Sequence, residues 1–202
     1  MALSLSSAPA TEPVTLAEVK AHLRVDHTAD NDYIEDFIIP AARRLAETMT
    51  HRAFITQTWI LRLQGFGLAP IYLPRPPLVS ITSVAYTDTA GDSGTFSSGA
   101  TGYLLEQPSG EQAQHASIRP AYSVSYPSTR DIVDSVVITY VAGYGAASAV
   151  PKGIKQAVFM LTEDLYQNRA SQVIGKSIST AAMTAEMLLK PFVVSRFGLR
   201  FD

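Results

Sequence analysis

P-V-T-L-A-E-V-K-A-H-L-R-V, residues 13–25, opens the stretch that decides the fold of this chain. After an acidic turn it continues as D-Y-I-E-D-F-I-I-P-A-A-R-R-L-A-E-T-M-T-H-R-A-F, residues 32–54, and ends in I-T-Q-T-W, residues 55–59. The apolar residues recur every three or four positions up to Phe54 and every second position beyond it. The stretch therefore predicts two amphipathic helices that lead into a strand.

The first helix carries a strong start signal. Thr15 and Glu18 make a T-x-x-E capping box, in which each side chain satisfies a backbone N–H of the other residue. A helix over about 16–24 follows, with its apolar stripe at Leu16, Val19 and Leu23. No partner stands at metal-ligand spacing from His22, so we interpret this histidine as a packing or surface residue.

The second helix begins after Asp30, the predicted N-cap. Pro40 stands in its middle and predicts a kink near Asp36 to Pro40, because proline has no N–H to donate. A stripe on one side is predicted to be buried, and Ile34 and Ile38 widen it. The stripe consists of Tyr33, Phe37, Ala41, Leu45 and Met49.

Three charged residues lie on the predicted opposite side of this helix: Arg43, Arg44 and Glu47. One interpretation makes them a solvated face. The other makes them a contact between subunits, and the pattern alone favours neither.

Strand patterns with turn-rich links fill the middle of the chain. Clear strands are predicted over 55–63, 78–88 and 134–142, and shorter ones over 103–106, 116–119 and 123–126. Helical spacing returns at 150–168, where Pro151 takes the favoured first position, and a short helix is predicted over 180–189. We expect an α+β fold in which a helical frame carries an inserted antiparallel β subdomain.

Four parts follow from these patterns. Residues 1–53 form an N-terminal helical part, 54–149 the β-rich insertion and 150–190 a C-terminal helical part that packs on the first. Residues 191–202 form a docking tail, P-F-V-V-S-R-F-G-L-R-F-D, which is apolar, aromatic and prone to β structure. Docking inside its own fold and docking on another subunit both fit this pattern, and we favour the second for the last few residues. The candidate residues for docking on another subunit are Phe192, Val193, Val194, Arg196, Phe197 and Phe201.

Composition limits the classes of function. The chain has 202 residues, a net charge of −2 and no cysteine, which excludes disulfides and thiolate metal sites and disfavours a basic nucleic-acid binder. Its four histidines, His22, His27, His51 and His115, stand in no catalytic motif. We expect no enzyme activity, cofactor, metal site or membrane span.

Nine segments in order along the chain resemble the head–tail connector (adaptor) proteins of tailed phages, the HK97-type connector family, and in particular its larger gp8-like branch with a β insertion. Residues 91–126 match that branch only as a variable β insertion. The matching segments are Val14–Val25, Asp32–Ile34, Ala41–Glu47, Thr58–Trp59, Leu73–Leu78, Ser80–Val84, Tyr140–Gly145, Val150–Ala157 and Leu188–Phe197.

The resemblance implies a structural protein of the virion neck, made in the cytoplasm of a bacterial host. Such adaptors form a ring, usually twelve-fold, between the portal protein and a stopper, head-completion or tail protein. Genomic DNA passes through the lumen without sequence-specific binding. The alternative is a β-rich binding module of a tail or baseplate, with its function in the loops of 91–126.

Overall fold

The computed structural model describes residues 1–68, 70–168 and 180–194, with the side chains of 180–183 excepted. The chain divides into two compact units. The helical unit comprises Ala10–Ile55 and Gly145–Val193. The β unit comprises Met1–Pro9 and Thr56–Tyr144, and Val194 also belongs to it. The β unit therefore interrupts the helical unit in sequence but also takes the N-terminal residues.

The helices of the helical unit agree closely with the sequence pattern. The predicted helices over 16–24, 150–168 and 180–189 are confirmed within two residues at each end. The helical elements are α1 (Leu16–Leu23), α2 (Asn31–Tyr33), a π-helical turn (Ile34–Ile38), α3 (Ile39–Thr50), α4 (Lys152–Gln167) and α5 (Thr180–Leu189), with short 3₁₀ turns at Ala147–Ala149 and Lys190–Phe192.

The capping box of α1 is formed as predicted. The backbone N–H of Thr15 donates to Glu18 Oε2 at 2.7 Å, and the N–H of Glu18 donates to Thr15 Oγ1 at 3.2 Å. The hydroxyl of Thr15 also donates to Glu18 Oε2, at 2.9 Å, and the two bonds that the carboxylate accepts from Thr15 lower the pKa of Glu18. Arg24 ends the helix in the left-handed conformation.

Helix α4 packs against α1 and α3 through Ile154, Val158 and Leu161, which are all buried. His22 of α1 stacks on Phe159 with 5.4 Å between ring centroids, and its Nε2 lies 3.2 Å from Glu163 Oε2. The interpretation of His22 as a packing residue is therefore confirmed.

The β unit contains two antiparallel sheets. The strands are β1 (Ala2–Ser7), β2 (Gln57–Leu63), β3 (Ile71–Leu73), β4 (Leu78–Thr87), β5 (Ser93–Thr95), β6 (Tyr103–Glu106), β7 (Ala116–Pro120) and β8 (Val136–Ala142). Strand order is β1-β2-β8-β4-β5 in the larger sheet and β3-β7-β6 in the smaller. Helices and antiparallel sheets together confirm the predicted α+β class.

Two predictions about strands were wrong or incomplete. Ala2–Ser7 pairs with β2 as an edge strand, although residues 1–53 were predicted to be helical. The predicted strand over 123–126 is irregular, because Ser123 takes a positive φ of 61° and Tyr126 turns inward. Tyr126 donates its hydroxyl to the carbonyl of Ile118 at 2.9 Å.

Aromatic rings join the two sheets of the β unit. Phe66 stacks on Tyr126 with 4.9 Å between centroids, and Phe96 contacts Phe66, Tyr103 and Tyr126. Burial in this cluster raises the pKa of Tyr126 to about 12. The loops after β2 and β5 are therefore tied to the smaller sheet by ring packing.

Candidate assembly surfaces

A π-helical turn decides which side of the second helix faces the core. The N–H of Ile39 donates to the carbonyl of Ile34, five residues earlier. Pro40 follows directly, and it has no N–H with which to continue the ordinary pattern from Asp36. The turn therefore holds one extra residue, and the helix before it is rotated relative to the helix after it.

The buried side of 31–50 is not the one that the sequence predicted. Ile34 and Ile38 are buried, and after Ile39 the buried face of α3 consists of small, polar and charged residues. The buried residues of α3 are Ile39, Ala42, Arg43, Ala46, Glu47 and Thr50. Ala42 and Ala46, both fully buried, lack side chains beyond Cβ and so allow close packing of the helix.

The predicted buried stripe lies on the outside. Phe37 is 66% exposed and Leu45 is 44% exposed, and Tyr33 and Ala41 are exposed beside them. The rings of Tyr33 and Phe37 lie 6.2 Å apart. We call Tyr33, Phe37, Ala41 and Leu45 the apolar stripe. The prediction that these four residues pack in the core of their own chain was wrong, whereas Met49 is half-buried and Ile34 and Ile38 are buried as predicted.

Arg43 and Glu47 belong to an ion-pair network inside the helical unit. Arg43 Nε donates to Glu12 Oε2 at 2.7 Å, and Arg43 Nη1 donates to Glu47 Oε2 at 2.8 Å. The other oxygen of Glu47 accepts the N–H of Phe54 at 2.8 Å. Burial alone would lower the pKa of Arg43, but its bonds and charge contacts with Glu12 and Glu47 raise it.

This network corrects the sequence interpretation of the charged side. Arg43 and Glu47 are neither a solvated face nor, in this chain, a surface open to a neighbour, because both are buried. Arg44, which points away from them, is exposed. Of the three residues only Arg44 remains available for a contact between subunits.

Three of the predicted docking residues fall within the described chain. Phe192 and Val194 are buried, whereas Val193 is 45% exposed. The carbonyl of Phe192 accepts a hydrogen bond from Nε of the fully buried Arg52 at 2.5 Å. A Cβ placed on Gly153 would lie 3.2 Å from the Phe192 ring, so the ring lies against the start of α4. Arg196, Phe197 and Phe201 lie outside the described residues.

A second exposed apolar surface lies at the C-terminal end of the helical unit. Met187 on α5 is 70% exposed, while Ala185 and Leu189 on the same helix are fully buried. We call Met187 and Val193 the α5 patch. The exposed Lys190 stands between them in sequence, and the exposed Lys152 precedes Gly153 at the start of α4.

The described residues hold no group of three or more histidine, aspartate or glutamate side chains that could bind a metal ion. No helix in the described ranges is long and apolar enough to cross a membrane. Within the described part of the helical unit, the exposed apolar residues include the stripe and the α5 patch.

The family comparison agrees with the sequence motifs. Residues 13–98 match the model of a family described as phage gp6-like head-tail connector protein. The resemblance to the head–tail connectors is confirmed. The matched family is the gp6-like one, so the placement in the gp8-like branch stays a prediction. The match begins before α1 and includes the whole apolar stripe.

Solved structures share the fold over nearly the full chain. A chain from the virion of a native gene transfer agent (GTA) particle aligns with a TM-score of 0.77, 23% identity and 97% coverage of both chains. A chain from the neck of an empty GTA particle, computed with C6 symmetry, aligns with a TM-score of 0.77 and 24% identity at the same coverage. The neck of the native GTA particle, computed with C12 symmetry, contains a chain with a TM-score of 0.70 and 23% identity. No curated protein matches.

Proposed function

We propose that this protein is a structural head–tail connector of a tailed phage or phage-like particle, located in the neck. The family match over 13–98 carries the proposal, and the likeness in fold to chains of GTA virions and necks supports it. The role requires no chemistry, in keeping with the lack of a catalytic motif in the sequence.

In this role the protein forms a ring around the DNA exit channel. The C12 and C6 symmetry of the neck structures supports an oligomeric ring. Identical subunits close into a ring when each presents two different surfaces that fit each other. Arg44 remains the proposed charged contributor to that contact.

The partners are the portal protein on one face of the ring and a stopper, head-completion or tail protein on the other. Genomic DNA passes through the lumen. A chain with a net charge of −2 suits a channel through which DNA slides, because binding to phosphates depends on clusters of lysine and arginine.

The docking tail attaches the ring to the portal or to a neighbouring subunit. Phe192 and Val194 support the fold of their own chain, since both are buried. The proposal therefore rests on Val193 and on residues 195–202, where Phe197, Leu199 and Phe201 alternate with polar or small residues. Such an alternating segment suits the addition of a strand to a partner sheet.

Deletion of the gene from the producing genome, followed by electron microscopy of the particles, tests the function. We expect heads and tails that fail to join, and we expect the wild-type gene supplied in trans to restore joined particles. Joined particles without the protein would overturn the proposal.

The same experiment decides the alternative, a binding module of a tail or baseplate. One observation favours that alternative, since Tyr122 is 95% exposed and Val133 is 75% exposed on loops of the β unit. A binding module predicts complete, joined particles that no longer attach to cells.

A further inference from the structure

We propose that the apolar stripe of one copy packs on the α5 patch of the next copy in the ring. The inference rests on the proposed function, because it assumes that copies of the chain meet around an axis. Neither the sequence pattern nor the family match identifies these two surfaces as the contact between neighbouring copies.

The stripe has the composition of an interface. Tyr33, Phe37 and Leu45 place two aromatic rings and a branched aliphatic side chain along one exposed helix face. Aromatic residues are enriched at the centres of protein interfaces, where they bury large areas at low entropic cost. The fold does not need these side chains inside, because Ile34, Ile38 and Ile39 already fill the core on the other side.

The two surfaces lie on different helices of the helical unit. Helices α3, α4 and α5 contact one another. Ala42 and Ala46 face inward on α3, and Ala185 and Leu189 face inward on α5. The stripe and Met187 therefore point outward from different helices. A copy that carries two separate apolar surfaces can bind one neighbour on each side, as a closed ring requires.

Charge favours contact between the two surfaces over contact of the stripe with itself. Asp32, Glu35 and Asp36, all exposed, surround the end of the stripe that holds Tyr33 and Phe37, and Arg44 lies near its other end. Two stripes face to face would bring these carboxylates together, which costs free energy.

The α5 patch offers the complementary charge. Lys190 lies between Met187 and Val193 in sequence, and Lys152 precedes Gly153, which lies against the ring of Phe192. Both lysines are exposed, and Glu186 is the exposed carboxylate among the described residues of this region. The patch is therefore positive where the aromatic end of the stripe is negative. This difference selects a second copy, turned so that its α5 patch meets the stripe, as the occupant.

Cysteine cross-linking tests the pairing, since the chain contains no cysteine of its own. Phe37→Cys and Met187→Cys are combined in one full-length chain, incorporated into particles and oxidised. A disulfide forms only where Cα atoms approach within about 7 Å. We expect a ladder of covalent oligomers on a denaturing gel, and we expect each single variant to stay monomeric.

A matched control replaces the stripe position by Ala21, which is exposed on α1 outside both surfaces. The Ala21→Cys, Met187→Cys chain should give no ladder. Covalent dimers from Phe37→Cys alone would show that the stripe packs on itself and would overturn the inference. Particles that hold the double variant but yield only monomers would also overturn it, while the connector function stands. A wild-type chain that is absent from particles would instead contradict the proposed function, and the inference would fall with it.

Discussion

Arg43 and Glu47 form a buried ion pair one helical turn apart on α3, with Nη1 and Oε2 at 2.8 Å. Their side chains are 7% and 9% exposed. Glu12 pairs with Arg43 from the segment before α1, and the N–H of Phe54 binds Glu47 from the segment after α3. The pair therefore ties the segment before α1 and the segment after α3 to α3.

Replacement of Arg43 by Met should destabilise the protein strongly. It leaves the buried carboxylate of Glu47 without its cation, and a broken buried pair costs about 3 kcal/mol or more. Arg44→Met is the matched control, since Arg44 is exposed, and it should change the free energy of unfolding by less than about 0.5 kcal/mol. Chemical denaturation of the two variants measures the difference. Equal effects would contradict the assignment of Arg43 to a buried network.

The capping box should make stability depend on pH in the acid range. The bonds from Thr15 lower the pKa of Glu18. The Glu18 carboxylate therefore contributes its whole stabilisation of the folded protein above the ordinary glutamate pKa of about 4.3, and this contribution is lost as the pH falls through the lowered pKa. The stability difference between the wild-type protein and Glu18→Ala should therefore be larger at neutral pH than near about pH 3. A difference that is the same at both pH values would count against the capping box.

Tyr126 should titrate late and weaken the fold in alkali. Burial raises its pKa to about 12, against an ordinary value of about 10. The neutral Tyr126 hydroxyl contributes its whole stabilisation of the folded protein below about pH 10, and this contribution is lost as the pH rises towards about 12. Tyr126→Phe should remove one late-titrating group from the ultraviolet titration and reduce the alkaline loss of stability. Tyr103 and Tyr140, whose pKa values burial also raises, should account for the rest.

Variants of Phe192 and Val193 should distinguish a residue that supports the fold from one that is available for docking. Phe192→Ala removes a buried ring and should cost about 3 kcal/mol or more, whereas Val193→Ala should cost less than about 0.5 kcal/mol. Thermal unfolding of the two variants checks this.

Removal of residues 195–202 should leave thermal stability close to that of the wild-type protein but prevent attachment to the portal in a pull-down. The truncation keeps Phe192 and Val194, which are the buried residues in the described part of the tail. A truncated chain that still binds the portal would contradict the docking proposal.

Local signals predicted the helices well because their causes lie within a few residues. The T-x-x-E box fixed the start of α1, and Pro151 and Pro191 marked the start of α4 and the end of α5. Strands β2, β4, β6, β7 and β8 followed from alternation in the same way. Strand β1 gave no such signal, because A-L-S-L-S-S is short and forms through pairing with β2, more than fifty positions away.

The orientation of the second helix could not be predicted, because two neighbouring stripes compete for the core. The large side chains of Tyr33, Phe37 and Leu45 made their side of the helix the expected buried one. The π turn before Pro40 and the close packing of Ala42 and Ala46 instead place the opposite side in the core. The burial of Arg43 depends on Glu12, which is distant in sequence. A signal was present in retrospect: arginine and glutamate at i and i+4 can neutralise each other in a core.

Cryo-electron microscopy of the particle neck tests the central claim most directly. We expect a closed ring of copies of this chain between head and tail, encircling the DNA exit channel, with Phe37 of each copy against Met187 of the next. A neck without this chain, or the chain found only at the distal end of the tail, would contradict it.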